Sequence, residues 1–148
     1  MKYLIILFLV FGPLYFSSCV SKTKSTQKYP EKVKTNVSAT EVVNIFLESL
    51  KKEDFGTAYD QIYAFSADRE GYISRMNGLS AELGLRLLSY KILGTQLFKE
   101  TAIIVAELET QKNIDGGVEK KVTRNKYDLK VFENEWKITK DSCIENCN

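Results

Sequence analysis

The 148-residue chain has no histidine, a formal net charge of +2 and 27% charged residues. The lack of histidine excludes Ser–His and Cys–His nucleophile pairs and removes the most frequent metal ligand. Charge is unevenly placed: residues 20–40 hold five lysines against Glu31, whereas residues 41–148 are mildly acidic. The sequence shows no basic stripe with interleaved aromatic residues, so we expect no nucleic-acid partner.

The amino-terminal segment has the pattern of a secretory signal peptide. Residues 3–16, YLIILFLVFGPLYF, carry no charge and follow Met1 and Lys2. This run is too short for a membrane-crossing helix, which needs about 20 residues. A charged start, an apolar run of this length and small residues before a cleavage point are typical of a signal peptide. We therefore predict a signal peptide over residues 1–18 and exclude it from the prediction of the fold.

The next residue is a cysteine in the sequence FSSC. This tetrapeptide resembles a bacterial lipobox, although Phe16 stands where Leu is usual. The resemblance implies that the chain is cut before Cys19 and that acyl groups such as palmitate are attached there. The protein would then be exported and held by lipid at the bacterial cell envelope, on an unassigned leaflet. An ordinary signal peptide cut near Cys19 and an uncleaved anchor remain as alternatives.

Residues 19–37 are rich in Lys, Ser and Thr and contain few large apolar side chains. Such a segment cannot bury enough surface to offset the entropy of ordering it, so we predict a flexible tether. Its lysines would lie against anionic lipid headgroups or simply be solvated. The remaining residues, 38–148, are enough for a single domain with one hydrophobic core.

A capping pattern marks the start of that domain. Ser38 is the predicted N-cap of a first helix, with Glu41 completing a capping box and Val37 and Val42 at the positions of a hydrophobic staple. Apolar residues then recur at helical spacing, and we expect this helix to end near Lys52.

Two further helices are expected before residue 85. Asp54 is the predicted cap of a second helix, whose apolar stripe continues to Tyr63. A third helix is expected over about residues 68–83. Gly71 and Gly78 interrupt its pattern, and Gly84 stands where a glycine ends a helix.

Beyond Gly84 the period changes to that of strands. Four segments, at 87–98, 101–111, 119–132 and 135–142, are rich in β-branched and aromatic residues and are separated by short connections. Short connections require antiparallel neighbours. Tyr127 and Leu129 alternate with charged residues, so we expect them on the packed face of a sheet whose other face is exposed to water. We therefore predict an α+β domain, with amino-terminal helices packed on a curved antiparallel sheet of about four strands.

This element order, with VVNIFLESLKKEDFGTAYDQIY at the front and YDLKVFENEWKI at the back, resembles the nuclear transport factor 2-like (cystatin-like) cone. Ketosteroid isomerase and many small bacterial lipoproteins of unassigned role share that fold. The resemblance implies a pocket between the helices and the concave face of the sheet. Tyr59, Tyr63 and Trp136 would line it, and plain core packing is the alternative for these aromatic residues.

The sequence contains no recognisable catalytic constellation. Asp60, between Tyr59 and Tyr63, is expected to point to solvent, and we matched no carboxylate to a catalytic position of the isomerase. No phosphate-binding glycine loop is present, and we expect neither a cofactor nor a metal.

We therefore predict a non-catalytic, lipid-anchored binding or accessory module, whose partner is an envelope protein or a small ligand. The alternative is an isomerase-like or hydrolase-like enzyme working in the cone cavity. That alternative requires an open apolar pocket with an inward carboxylate of raised pKa.

Two cysteines remain if Cys19 carries lipid. Cys143 and Cys147 are then an even pair in an exported, oxidising setting, so we predict a disulfide between them. The pairing requires the tail CIENC to curl after the last strand. A redox-active pair and two free thiols are the alternatives.

Overall fold

The computed structural model describes residues 35–63 and 68–147. The predicted signal peptide, Cys19 and almost all of the predicted tether lie outside these residues. The described elements, in chain order, are α1 (Ala39–Lys51), α2 (Phe55–Tyr59), α3 (Arg69–Leu83), β1 (Arg86–Leu97), β2 (Thr101–Ile114), β3 (Gly117–Phe132) and β4 (Glu135–Glu145).

The four strands form one antiparallel sheet in the order β1-β2-β3-β4. The predicted α+β class, with helices on a four-stranded antiparallel sheet, is confirmed. Within the described residues, no helix is both long enough and apolar enough to cross a membrane.

Helix α1 begins at its predicted cap. The backbone N–H of Glu41 donates to the Ser38 Oγ over 3.1 Å. The helix runs antiparallel to β1, because its Thr40 hydroxyl lies 3.3 Å from that of Thr95 near the carboxyl end of the strand, while the carbonyl oxygen of Asn44 accepts a hydrogen bond from Tyr90, earlier in the strand. Its apolar stripe faces the sheet, and six of its residues are buried: Ala39, Val42, Val43, Phe46, Leu47 and Ser49.

The core lies between α1 and the concave face of the sheet. Its largest fully buried side chains come from α1, β2 and β3: Tyr127, Leu47, Ile104, Leu129 and Val43. Phe46 meets the Tyr127 ring edge to face, with centroids 5.9 Å apart. Alternate residues of β2 and β3 supply the sheet's share of this core, as expected for a sheet with one packed face.

Helix α2 is shorter than predicted. It ends at Tyr59, and after a turn at residues 60 and 61 the chain pairs with β4. Ile62 bridges Ile138 in parallel, and the N–H of Tyr63 donates to the carbonyl oxygen of Ile138 over 2.8 Å. The prediction of a helix through Tyr63 was wrong because β4 is an edge strand, whose unpaired backbone groups gain hydrogen bonds from this segment.

Helix α3 has the predicted ends. The Asp68 carboxylate accepts a hydrogen bond from the Gly71 N–H, and the chain turns at Gly84 with φ +57°. The helix is continuous through Gly71 and Gly78. None of its residues is buried, so α3 lies on the domain without entering the core.

Strand β4 contains a bulge that changes which side chains face the concave side. Leu129 pairs with Ile138, but two residues earlier in β3 Tyr127 pairs with Asp141. One extra residue of β4 is accommodated between these pairs. Asp141 therefore shares a face with Tyr127, where regular alternation from Ile138 would have placed Lys140.

The carboxyl-terminal tail is linked back to the sheet. Strand β4 continues to Glu145, three residues past its predicted end, and the chain reverses at Asn146 with φ +56°. Cys143 and Cys147 form a disulfide with Cα atoms 5.6 Å apart. The chain therefore makes the turn that this pairing requires at Asn146 and Cys147, directly after the strand.

Candidate functional site

A cavity of about 350 Å³ lies between α1, α3 and β4. Its volume falls within the range of roughly 300–1,000 Å³ that small-molecule pockets occupy. The wall is mainly apolar and aromatic, with polar groups from β4. The lining residues are Phe46, Leu50, Ile62, Tyr63, Tyr72, Met76, Ile138, Thr139, Lys140 and Asp141.

The carboxyl group of Asp141 is the acidic group of this cavity. Although Asp141 is exposed as a whole residue, partial desolvation of its carboxyl raises the pKa of that group above the ordinary value. Hydrogen bonds from the Asn125 side chain, whose Nδ2 lies 2.9 Å away, and from the Ser142 backbone oppose this rise. The carboxyl is thus held in one orientation in a site that disfavours its charge.

Two tyrosines share the electrostatic environment of Asp141. Burial raises the pKa of Tyr127, and the negative charge of Asp141 adds to the effect. The same two causes, in the same order, raise the pKa of Tyr72. Both tyrosines therefore stay neutral and can donate a hydrogen bond from their hydroxyl groups.

The hydroxyl of Tyr127 is buried and has no hydrogen-bond partner among the described residues. A buried hydroxyl without a partner is costly, because its interactions with water are lost without replacement. Tyr127 pairs with Asp141 across β3 and β4, so the two residues share one face of the sheet, but Tyr127 is not among the lining residues of the cavity.

Helix α3 closes one side of the cavity with Tyr72 and Met76. The Tyr72 ring lies 5.5 Å from that of Tyr59, centroid to centroid, and Arg69 pairs with Asp60 over 3.1 Å. Both charged partners are largely exposed, so this ion pair adds little stability.

A second, apolar cavity of about 130 Å³ lies on the other side of Met76, between α3 and the β1–β2 part of the sheet. Cavities on both sides of one methionine show that α3 covers the concave face without filling it.

The three aromatic residues that were predicted to line the pocket lie in different environments. Tyr63 lines the cavity at its rim and stacks on Phe132, with ring centroids 3.9 Å apart. Tyr59 contacts the cavity residue Tyr72 but is not itself among the lining residues. Trp136 is 8% exposed, belongs to the core and is likewise not part of this lining. Asp60 is exposed, as expected.

Sequence reasoning missed the acidic end of the cavity. The alternation of Tyr127 with Leu129 predicted the inward direction of the tyrosine, but Asp141 faces inward only because of the bulge in β4. Among the described residues, no group of three or more Cys, Asp or Glu side chains is placed to hold a metal ion. The site therefore offers hydrogen bonding and proton exchange at a carboxyl, within a largely apolar wall.

Comparison with known proteins shows similarity in three-dimensional structure but not in sequence. No family model and no curated protein matches the sequence. Among solved structures, a ketosteroid isomerase-like protein from Erwinia carotovora atroseptica SCRI1043 is similar with a TM-score of 0.58 at 11% identity, over 72% of this chain and 94% of that one.

Two further solved structures are similar to the same extent. A nuclear transport factor 2-like protein from Cytophaga hutchinsonii has a TM-score of 0.52 at 13% identity, over 70% and 92% of the two chains. A cystatin-like protein of unknown function from Nostoc punctiforme has a TM-score of 0.53 at 16% identity, over 70% and 85%.

The fold is the nuclear transport factor 2-like cone. At these identities the likeness extends to the fold and not to any activity, since this fold carries many unrelated functions. The cavity between the helices and the concave sheet is the feature that the resemblance implied.

Proposed function

We propose that the protein is a lipid-anchored module of the bacterial cell envelope that binds a small, largely apolar ligand in the cavity beneath α3. The observation that carries the proposal is the cavity itself, of about 350 Å³, with an apolar wall and one acidic end at Asp141. Binding sites for small molecules combine such walls with a few polar groups that orient the ligand. This favours a small ligand over an envelope protein as the partner.

The polar end defines the chemistry of the ligand. Tyr72 and Asp141 both line the cavity, and burial raises the pKa of both groups. A ligand hydroxyl or carbonyl at this end would accept a hydrogen bond from the neutral Tyr72 hydroxyl, while its apolar part would contact residues such as Phe46 and Met76.

The anchoring part of the proposal rests on the sequence before the described residues. FSSC at residues 16–19 resembles a lipobox, and the following segment is rich in lysine. Two or more acyl chains on Cys19 would attach the protein stably, whereas one chain binds only marginally.

Mass spectrometry of protein extracted from membranes of its own host tests both parts. Under denaturing conditions, the mass should lack residues 1–18 and include acyl groups. Under native conditions, we expect a second species that carries a noncovalent small molecule. Met76→Trp, which fills the cavity, should abolish that species. Arg75→Trp is the matched control, because Arg75 is exposed on the same helix and does not line the cavity.

Each part of the proposal has its own contradicting result. A mature protein without acyl groups would contradict the anchor. A ligand-bound species that persists in Met76→Trp, or that is absent from the native protein and both variants, would contradict binding in this cavity.

The structure also offers one observation that favours the enzymatic alternative. Asp141 is a cavity-lining carboxyl with a raised pKa, which is the feature a proton-transferring enzyme of this fold would need. Asp141→Asn separates the two functions. A binding module would retain the same ligand, whereas an enzyme would accumulate a different molecule, the unconverted substrate.

A further inference from the structure

The amino end of α1 and the β1–β2 turn lie at the same end of the domain. Thr40, in the first turn of α1, contacts Thr95 near the end of β1. Further along, the Tyr90 hydroxyl donates to the carbonyl oxygen of Asn44 over 3.5 Å, which fixes the antiparallel direction of α1 and β1. We call this end, defined by Val37, Leu97, Phe98 and Lys99, the tether end.

Large apolar side chains are exposed at the tether end. Leu97 is 56% exposed, Phe98 is 54% exposed and Val37 is 39% exposed. The turn that carries them is held in place, because the Phe98 N–H donates to the Thr101 carbonyl oxygen over 2.8 Å. The exposure therefore belongs to a defined hairpin turn and not to a frayed segment.

More aromatic and basic groups lie beside this turn. The β3–β4 turn is at the same end, since the Val131 N–H donates to the Glu100 carbonyl oxygen over 3.0 Å. Phe132 precedes that turn, and the Lys130 Nζ lies 5.7 Å from its ring centroid. Aromatic rings and lysines that extend to the headgroups are typical of surfaces that lie at a membrane interface.

The chain that leads to the proposed lipid anchor also enters at the tether end. Cys19 lies sixteen positions before Thr35, the first described residue. As the flexible tether predicted from the sequence, a segment of that length would have an r.m.s. span of about 22 Å. Strand β3 has 16 residues and spans roughly 50 Å. An anchor at Cys19 would therefore keep the tether end much nearer to the bilayer than the opposite end.

We infer that the tether end is a membrane-docking surface, in which Leu97 and Phe98 enter the headgroup region of the bilayer that holds the acyl chains. The inference rests on the proposed lipid anchor. Glu100 offsets the charge of Lys99 and Glu133 that of Lys130, so attraction to anionic headgroups comes from the five lysines of residues 20–40. The Asp141 end of β4, about 20 Å further along that strand, faces away from the bilayer.

Tryptophan quenching tests this orientation on the full, processed chain. Phe98→Trp and Val118→Trp place the reporter at opposite ends of the sheet, at positions of nearly equal exposure, 54% and 56%. Each variant is reconstituted in vesicles of phosphatidylcholine and phosphatidylglycerol with part of the phosphatidylcholine brominated. The signal of the native protein, whose one tryptophan is Trp136, is subtracted.

We expect the tryptophan at 98 to be quenched roughly twofold or more relative to the tryptophan at 118, as for a side chain inserted at the interface. In an acylated protein, three results would overturn the docking surface: equal quenching at the two positions, no quenching at either, or stronger quenching at 118. None of them would contradict the lipid anchor at Cys19. A protein without acyl chains, seen in its intact mass, would overturn both the anchor and this inference.

Discussion

Helices α1 and α3 differ by two residues in length but contact the sheet very differently. Helix α1 has 13 residues and buries six of them, whereas α3 has 15 residues and buries none. The side chains of α1 complete the hydrophobic core with β2 and β3. Those of α3 line the cavities on both sides of Met76 and make exposed polar contacts, such as the hydrogen bond that the Ser80 hydroxyl donates to Glu53 over 3.1 Å.

We call α1 and the sheet the frame of the domain, because they form its hydrophobic core. We call α3 the cover, because it lies over the cavity and buries none of its residues. Stability comes mainly from burial of apolar surface, so α1 and the sheet should hold most of it. A helix without buried residues should open at a lower free energy than the whole domain unfolds. Such a cover would let a ligand reach the groups around Asp141.

The largest expected effect comes from shortening one leucine in each helix. Leu47 in α1 is fully buried, and Leu47→Ala should lower the free energy of unfolding by about 2–5 kcal/mol. Leu79→Ala in α3, where the residue is only half-buried, should cost about 1 kcal/mol or less. Urea unfolding of both variants measures the difference, and equal losses would contradict the division into frame and cover.

The helix caps provide a second, smaller comparison. Ser38→Ala removes the cap of α1 and should lower the free energy of global unfolding by about 1 kcal/mol. Asp68→Ala removes the cap of α3 and should increase fraying of that helix alone. The midpoint of urea unfolding should therefore shift for Ser38→Ala and stay nearly constant for Asp68→Ala. The reverse ranking would show that α3 is part of the cooperative core.

Gly78→Ala should strengthen the cover. A Cβ at this position meets no atom within 4 Å, and the residue lies within α3. Replacing a helical glycine with alanine typically adds about 0.5–1 kcal/mol of helix stability. We expect slower amide exchange in α3 with no change in α1, measured by hydrogen exchange. Slowing of both helices to the same degree would contradict their independence.

The smallest expected effect is a pH dependence from Asp141, because the residue is exposed and solvent weakens the electrostatic cost of its charge. Burial raises its pKa in the folded state, so its stabilising contribution is fully present below the unfolded pKa. That contribution is lost as the pH rises through the folded pKa. Asp141→Asn should therefore become more stable than the native protein across this window. A difference between the two proteins that does not change with pH, in urea unfolding, would contradict a buried charge here.

Local patterns were enough to predict most elements of the fold. Ser38 as a cap, the apolar stripe of α1, and the ends of α3 at Asp68 and Gly84 depend on residues within one or two turns. Alternation likewise predicted that Tyr127 faces inward, because β3 is regular at that point.

The errors arose where distant parts of the chain meet. The backbone conformation at Ile62 depends on pairing with the edge strand β4, which lies more than 70 positions away along the sequence. Asp141 reaches the cavity through a bulge that depends on the pairing of β3 with β4. The cavity beneath α3 is set by how one helix rests on a distant sheet, which no local pattern determines.

Hydrogen exchange of the native protein, followed by mass spectrometry, tests the central claim most directly. If α3 is a separable cover over a cavity in a frame of α1 and the sheet, its protected amides should exchange on the order of 100-fold or more faster than those of α1. The cavity-filling variant Met76→Trp should slow exchange in α3 and leave α1 unchanged. Equal rates in α1 and α3 would contradict the account, because both helices would then open only with the whole domain.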